Sequence, residues 1–380
     1  MYELANPAQH YDWGSTTALP TLLGVPADGR PVAEIWMGAH PTAPSSAVLD
    51  DGRSVPLDVL VAGELPFLLK LLAADRPLSL QAHPDASQAR RGFAAEEASG
   101  VPRGAATRTY RDPNPKPELL VALTPFEVLS GFRAPAAAAE VVAAFGLAGV
   151  AGRLAAGDLA GVLWDWWETD GGARAAVVDA VVAGAGPAAA RFPGEAALVL
   201  RAAALHPGDV GVAITLLLNR AVLRPGEAIF AAAGRLHAYV SGTGVEIMAN
   251  SDNVVRGGLT SKPVDLTELR RILRVEAEPL VPVVPAPEGP GDPEAVYPSG
   301  PAPFRLGRVD LGAEPWAPRR LGDEVLLCTE GSVTLRSVER TVRLPPGGSA
   351  FVPAAGPPYV AEGPGVLFRA SARGVEEAGA

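Results

Sequence analysis

The chain has 380 residues, 48% of them apolar and 19% charged, which is enough for a large core and two or three domains and too apolar for a disordered chain. With 32 basic against 42 acidic residues the formal net charge is -10, which argues against an extended nucleic-acid footprint but leaves room for a local basic pocket. Cys328 is the only cysteine, so neither an intrachain disulfide nor a cysteine metal cluster is available, and a buried thiol in the run VLLC is expected. The first residues, MYELANPAQHYDWG, do not join a basic segment to an apolar run. The longest apolar stretches, around Val177–Gly186 and Val210–Leu218, are too short to span a bilayer. A soluble, cytoplasmic protein without membrane or nucleic-acid partners is expected.

In chain order, residues 31–82 read as short strands (VAEIWMGAH, SVPLDVLVA, PLSLQAH) separated by DDGR and AADRP. PFLLKLL, at 66–72, is ambiguous between buried strand and short helix. A helix is predicted within 85–106, and ELLVALTPFEVLSGF (118–132) returns to a strand-like apolar run. From Pro135 the composition turns rich in Ala, Leu and Val. Helices are predicted over 135–146, 151–163, 172–184 and 193–205, because alanine costs least to hold in a helix. Residues 210–252 read as strand-rich and 264–275 as a short helix. The nine prolines of 276–303 predict an extended connection. Strands then resume to the end: FRLGRVDL, EVLLCTE, SVTLRS, TVRLP, SAFVPA and VLFRAS. LRPGEAIFAAAGRLHAYVSG (223–242) also lies on LPPGGSAFVPAAGPPYVAEG (344–363) without a gap, with His237 opposite Pro358. This predicts two units of related design, the second without its histidine.

Few residues are equipped for chemistry. The histidines are His10, His40, His83, His206 and His237. In SLQAHPD, Gln81 and His83 are two apart and share a strand face, so an amide oxygen and an imidazole can converge on one metal. His237 lies beyond the PGE turn, and Glu118 could supply a carboxylate to a mixed N/O site of catalytic type. AEIWMGAHP places Glu34, Trp36, Gly38 and His40 on one face if that strand is regular, which as plainly reads as a barrel lining. NSDNVVRGGLTSK (250–262) joins turn residues to Arg256 and Lys262, which suits a phosphate seat and equally an ordinary solvated loop. It is not the phosphate loop of nucleoside triphosphatases. Lys116 and Glu118 share a face and read most simply as an ion pair. Glu246 in VEIMAN is a strand carboxylate.

Together these pieces resemble type I mannose-6-phosphate isomerases. The resemblance rests on YDWGS (11–15), AEIWMGAHP (33–41), PFLLKLL, LSLQAHPD (78–85), KPELLVALTPFEVLSGF (116–132), LRPGEAIFAAAGRLHAYVSG and VEIMANSDNVVRGGLTSK (245–262), in the family's order. The chain departs from the family at Pro115, where a histidine often precedes KPE, and in the approach AAAGRLHAY to the second histidine. The resemblance implies a mainly β fold of cupin-type jelly-roll barrels with a helical insertion. Its divisions would be 1–132 and 209–275 for the catalytic barrel, 133–208 for the helices, 276–303 for a Pro-rich linker and 304–380 for a degenerate C-terminal β domain. It implies one Zn2+ held by Gln81, His83, Glu118 and His237, and a phosphorylated hexose bound near Trp13, Ser79, Lys116, Glu246, Arg256 and Lys262. The expected reaction is interconversion of mannose 6-phosphate and fructose 6-phosphate through an enediol. Glu246 is the first choice of base, with Lys116 as its companion, His40 as the outside candidate, and Arg256 and Lys262 on the phosphate. A monomer is expected, with a homodimer as the alternative. The competing classes are a non-catalytic sugar-binding cupin and a metal-dependent dioxygenase on the same barrel.

Overall fold

The computed structural model describes residues 1–61, 65–105 and 107–373. Part of SVPLDVLVA, the last residue of the segment 85–106 and the last residues of the 304–380 segment lie outside the described residues; the helix predicted within 85–106 runs Ala86–Ala98. The fold is mainly β, in antiparallel sheets of ten, nine and three strands. No helix among the described residues is long and apolar enough to cross a membrane.

The ten-stranded sheet is organised by the strand His237–Ala249. One half pairs with Phe67–Ala74 and Glu118–Ala122, and the other with Phe126–Phe132 and Leu80–Ala82. Phe67–Ala74 is therefore the strand reading of PFLLKLL. It lies between Glu34–Met37 and His237–Ala249 and is buried along its whole length, which is why it shows no alternation. The alanine-rich region gives helices Pro135–Ala144, Ala148–Ala155, Leu159–Glu168, Gly171–Ala188 and Pro193–Leu205, inserted between two hydrogen-bonded strands, Phe126–Phe132 and Leu218–Leu223. Their apolar faces build a core with Trp167, Leu236, Val255 and Leu259.

The strand-rich reading of 210–252 is corrected at its start, where Gly211–Ile214 and Thr215–Leu217 are helical turns buried on every side. The connection 276–303 is not wholly extended coil. Ala286–Pro287 and Glu294–Val296 pair at the edge of the nine-stranded sheet. A larger surprise is that Tyr2–Ala5, Ser46–Val48 and Ser54–Pro56 join that same sheet. Tyr2 is in register with Phe351, so the N-terminal strand closes against C-terminal strands.

The repeat seen in sequence has a structural counterpart. Strand Ala228–Ala231 falls on Ser349–Val352, and the partner of each comes earlier in the chain: Glu118–Ala122 in one case, Glu324–Gly331 in the other. Glu118 faces Ala231 and Met248; Glu324 faces Val352 and Ser371. Glu324 thus occupies the register position of Glu118. Arg369, two residues before Ser371, occupies that of Glu246. The Arg369 guanidinium bonds Glu324 at 2.7 Å and Glu294 at 2.9 Å, and the Tyr359 hydroxyl donates to Glu324 at 2.9 Å. All four side chains are buried.

Candidate metal centre and substrate cleft

Strand ends bring the first cluster together. Gln81 is directly opposite both His237 and Arg256 in the sheet, and His83 follows one residue after its strand ends. Glu118 opens the next strand. His83, Glu118 and His237 are all buried, with ligand atoms within 4.8 Å of one another. The outer nitrogen of each ring is already committed. His83 Nδ1 donates to the Asn253 carbonyl at 2.8 Å, and His237 Nδ1 to the Arg235 carbonyl at 3.0 Å. Both Nε2 lone pairs therefore face Glu118 Oε2, at 3.4 and 3.3 Å. His83 Nε2 has no hydrogen-bond partner. Burial holds the His83 imidazole below its ordinary pKa, in the neutral form a metal requires. Burial alone would raise the Glu118 carboxyl; the Lys116 ammonium, with Nζ at 2.9 Å, leads the influences that outweigh it and hold Glu118 well below the usual carboxylate range. Three lone-pair donors aimed at one buried point, with their backs fixed by carbonyls, fit a zinc ion.

The centre opens onto a cleft of about 500 Å³ lined by Trp13, Ser79, Gln81, Lys116, Glu246 and Arg256, with His40 and Lys262 also on its wall. Every substrate or catalytic candidate read from the sequence lies on this cleft. Glu246 is buried, and its direct cationic partner is Lys70, at 3.1 Å, while Lys116 is engaged with Glu118. The same ammonium lies 3.4 Å from Glu34, whose other oxygen accepts from the Trp36 indole at 2.7 Å. Burial pushes the Glu246 carboxyl up; Lys70 pulls it down without cancelling the effect. Lys70 was not singled out in sequence, although a lysine inside an apolar run such as PFLLKLL is itself a signal of a buried charge with a partner. The Tyr239 hydroxyl is buried beside this group, and burial together with Glu246 keeps it protonated.

His40 forms a second pair. The Thr42 amide donates to its Nδ1 at 3.3 Å, which leaves the proton on Nε2, 3.5 Å from Asp252. Burial would raise the Asp252 carboxyl, but the bond from His40 overrides it and lowers it. Arg256 and Lys262 also line the cleft. Burial and the nearby Arg111 lower the Arg256 pKa. Arg256 is the main influence lowering that of Lys262. Cations that destabilise one another in this way make an anion seat. Cys328 is inert by comparison, with burial raising its thiol to about 11.

A family profile described as phosphomannose isomerase type I, catalytic domain, matches residues 1–135. The chain is 37% identical to mannose-6-phosphate isomerase of Salmonella typhimurium, over 97% of this chain and 99% of that protein. It is 36% identical to the Escherichia coli enzyme of the same name, with the same coverage. Among solved structures it is similar to the Salmonella typhimurium enzyme bound to fructose 6-phosphate and zinc, with a TM-score of 0.88, 35% identity, and 98% and 99% of the two chains covered.

Proposed function

The chain belongs to the type I phosphomannose isomerase family, and we propose how its cleft divides the labour of the reaction. The protein is a zinc-dependent aldose–ketose isomerase that interconverts mannose 6-phosphate and fructose 6-phosphate through an enediol. The observation that carries the reading is one cleft that joins a three-ligand centre to a pair of mutually repelling cations.

Gln81 joins His83, Glu118 and His237 around the ion; its place opposite His237 supports this. When bound, zinc supplies a Lewis acid for the negative charge that develops on substrate oxygen. Glu246 takes the C2 proton of the open-chain aldose and returns it at C1. Its raised pKa brings it nearer the working pH, where a general base is most effective. Lys70 holds that carboxylate in place. Lys116 shuttles a hydroxyl proton or tunes the charge at Glu118. His40 is the less favoured base, because its Nε2 proton already points at Asp252. Ser79 and Trp13 shape the pocket. Arg256 and Lys262 take the phosphate, a group close to doubly charged that arginine can hold with two parallel bonds.

The two related strand sets support cupin-type barrels, divided as 1–132 with 209–275, a helical insertion at 133–208, a linker at 276–303 and a second β unit at 304–380. A reducing cytoplasm fits a chain whose single cysteine is a buried free thiol. A coupled assay with mannose 6-phosphate, before and after chelation and with zinc added back, tests the function. Activity that survives complete metal removal would refute it.

A further inference from the structure

Arg256 and Lys262 are joined by a backbone that departs from regular structure. The strand Val255–Gly258 runs against Leu80–Ala82 with a register shift between Arg256 and Gly258. Gly258 has φ +145, and Leu259 follows at φ 53, the one non-glycine residue with positive φ among the described residues. A leucine does not take this conformation unless its surroundings impose it.

The surroundings come from the helical insertion and the turn that follows it. The buried indole of Trp167, on helix Leu159–Glu168, donates to the Gly257 carbonyl at 2.6 Å. A side chain at Gly257 would meet that ring at 2.9 Å. Asp209 accepts from the Thr260 amide at 3.1 Å with one oxygen and from the Gly211 amide at 2.7 Å with the other. Gly211 and Gly258 touch backbone to backbone: a Cβ on Gly211 would lie 2.7 Å from the Leu259 nitrogen, and one on Gly258 2.7 Å from the Gly211 Cα. The Leu259 side chain is buried in the insertion's own core. Leu259 and Thr260 line the substrate cleft, whereas Trp167 and Asp209 stand behind it.

We propose that Trp167 and Asp209 are positioning residues for the substrate: together they impose the backbone shape that aims Arg256 and Lys262, so the helical insertion and the turn after it set affinity for the substrate's phosphate. The inference rests on the reading that Arg256 and Lys262 hold the 6-phosphate. It assigns a role in substrate affinity to an insertion whose Leu205 and His206 also line the cleft. It also explains why an aromatic-rich helix and a lone aspartate, neither of them lining the cleft, converge on one loop.

The test uses the zinc-loaded full chain. Trp167→Phe removes the indole donor and keeps most of the ring; Asp209→Asn keeps the shape and weakens the double acceptor. In each, KM for fructose 6-phosphate and the inhibition constant for inorganic phosphate are expected to rise together, by about tenfold for a lost buried hydrogen bond. The kcat and zinc content should be held, and amide exchange should quicken at Thr260 and its neighbours. Leu154→Ala, a core truncation that removes neither bond, serves as the comparison. It is expected to lower Tm and leave KM, phosphate inhibition and Thr260 exchange unchanged. If Trp167→Phe and Asp209→Asn behave like Leu154→Ala, the positioning role is overturned. Arg256→Ala separates the two readings. Loss of phosphate inhibition there, with full retention in the two positioning variants, overturns the inference alone. Retention in Arg256→Ala overturns the phosphate seat itself.

Discussion

Glu246, the proposed base, shows how burial and one cation divide control of a buried carboxylate. Burial raises its pKa and Lys70 restrains the rise. A base works in its ionised form, so activity is expected to fall as pH drops through this raised pKa. The acid limb of kcat should therefore lie above the ordinary glutamate range. Replacing Lys70 by Met removes the restraint, and the limb should move to still higher pH; a limb that stays put would remove Glu246 from the proton-transfer role. Glu246→Gln keeps the shape and cannot accept the proton, so kcat should fall by about 100- to 10,000-fold, as general bases typically contribute. At this scale the sequence was informative where a motif concentrated polar residues. LSLQAHPD and KPE pointed to Gln81, His83, Lys116 and Glu118, and all of them meet at the cleft or the centre behind it. It was silent on Trp167 and Asp209, whose partners are backbone groups far along the chain and leave no spacing to read.

Among the elements, the segment 250–254 ties the metal centre to the loop before Lys116. The Asn253 side-chain oxygen accepts from the Arg111 amide at 2.8 Å, and its nitrogen donates to the carbonyls of Asp112 at 2.8 Å and Asn114 at 2.9 Å. Its own carbonyl fixes the His83 ring. Asn253→Ala removes the side-chain bonds that hold the 111–114 backbone against the segment. Zinc affinity is expected to fall by about 10-fold or more, the usual cost of loosening the groups that orient a ligand. Metal titration of the purified variant measures this, and an unchanged affinity would separate the loop from the centre. The helices of 135–205 were legible because alanine-rich segments broken by glycine have few alternatives. The helical turns Gly211–Ile214 and Thr215–Leu217 were not, because a segment buried on all sides has no periodicity. Tyr2–Ala5 was missed for another reason: its partner is the last part of the chain, and a four-residue strand carries no local sign of it.

At the scale of the whole molecule, that N-terminal strand decides what truncation does. A fragment ending at residue 303 would lose Ser349–Val352, the partner of Tyr2–Ala5, and uncover the core shared by Phe67, Phe304, Phe351 and Phe368. Exposing Phe67, Leu69 and Leu71, which the fragment keeps, costs about 1.5–3 kcal/mol each. The fragment is expected to aggregate or to melt well below the full chain, with its metal ligands intact in sequence. A soluble, fully active fragment would show the two halves to be separable. The two related strand sets also differ in where their central positive charge comes from. Around Glu118 the charge at the centre of the ligand cluster is zinc, collected from solution, with Lys116 beside it. Around Glu324 it is Arg369, encoded in the chain and held by Glu324 and Glu294. A chelator can remove the first and cannot remove the second. Dependence on metal supply is therefore confined to one half. Stripping zinc should speed amide exchange around His83, Glu118 and His237 while Glu324–Gly331 and Gly365–Ala372 stay protected, so a metal-starved cell would hold the protein folded in one half and waiting in the other.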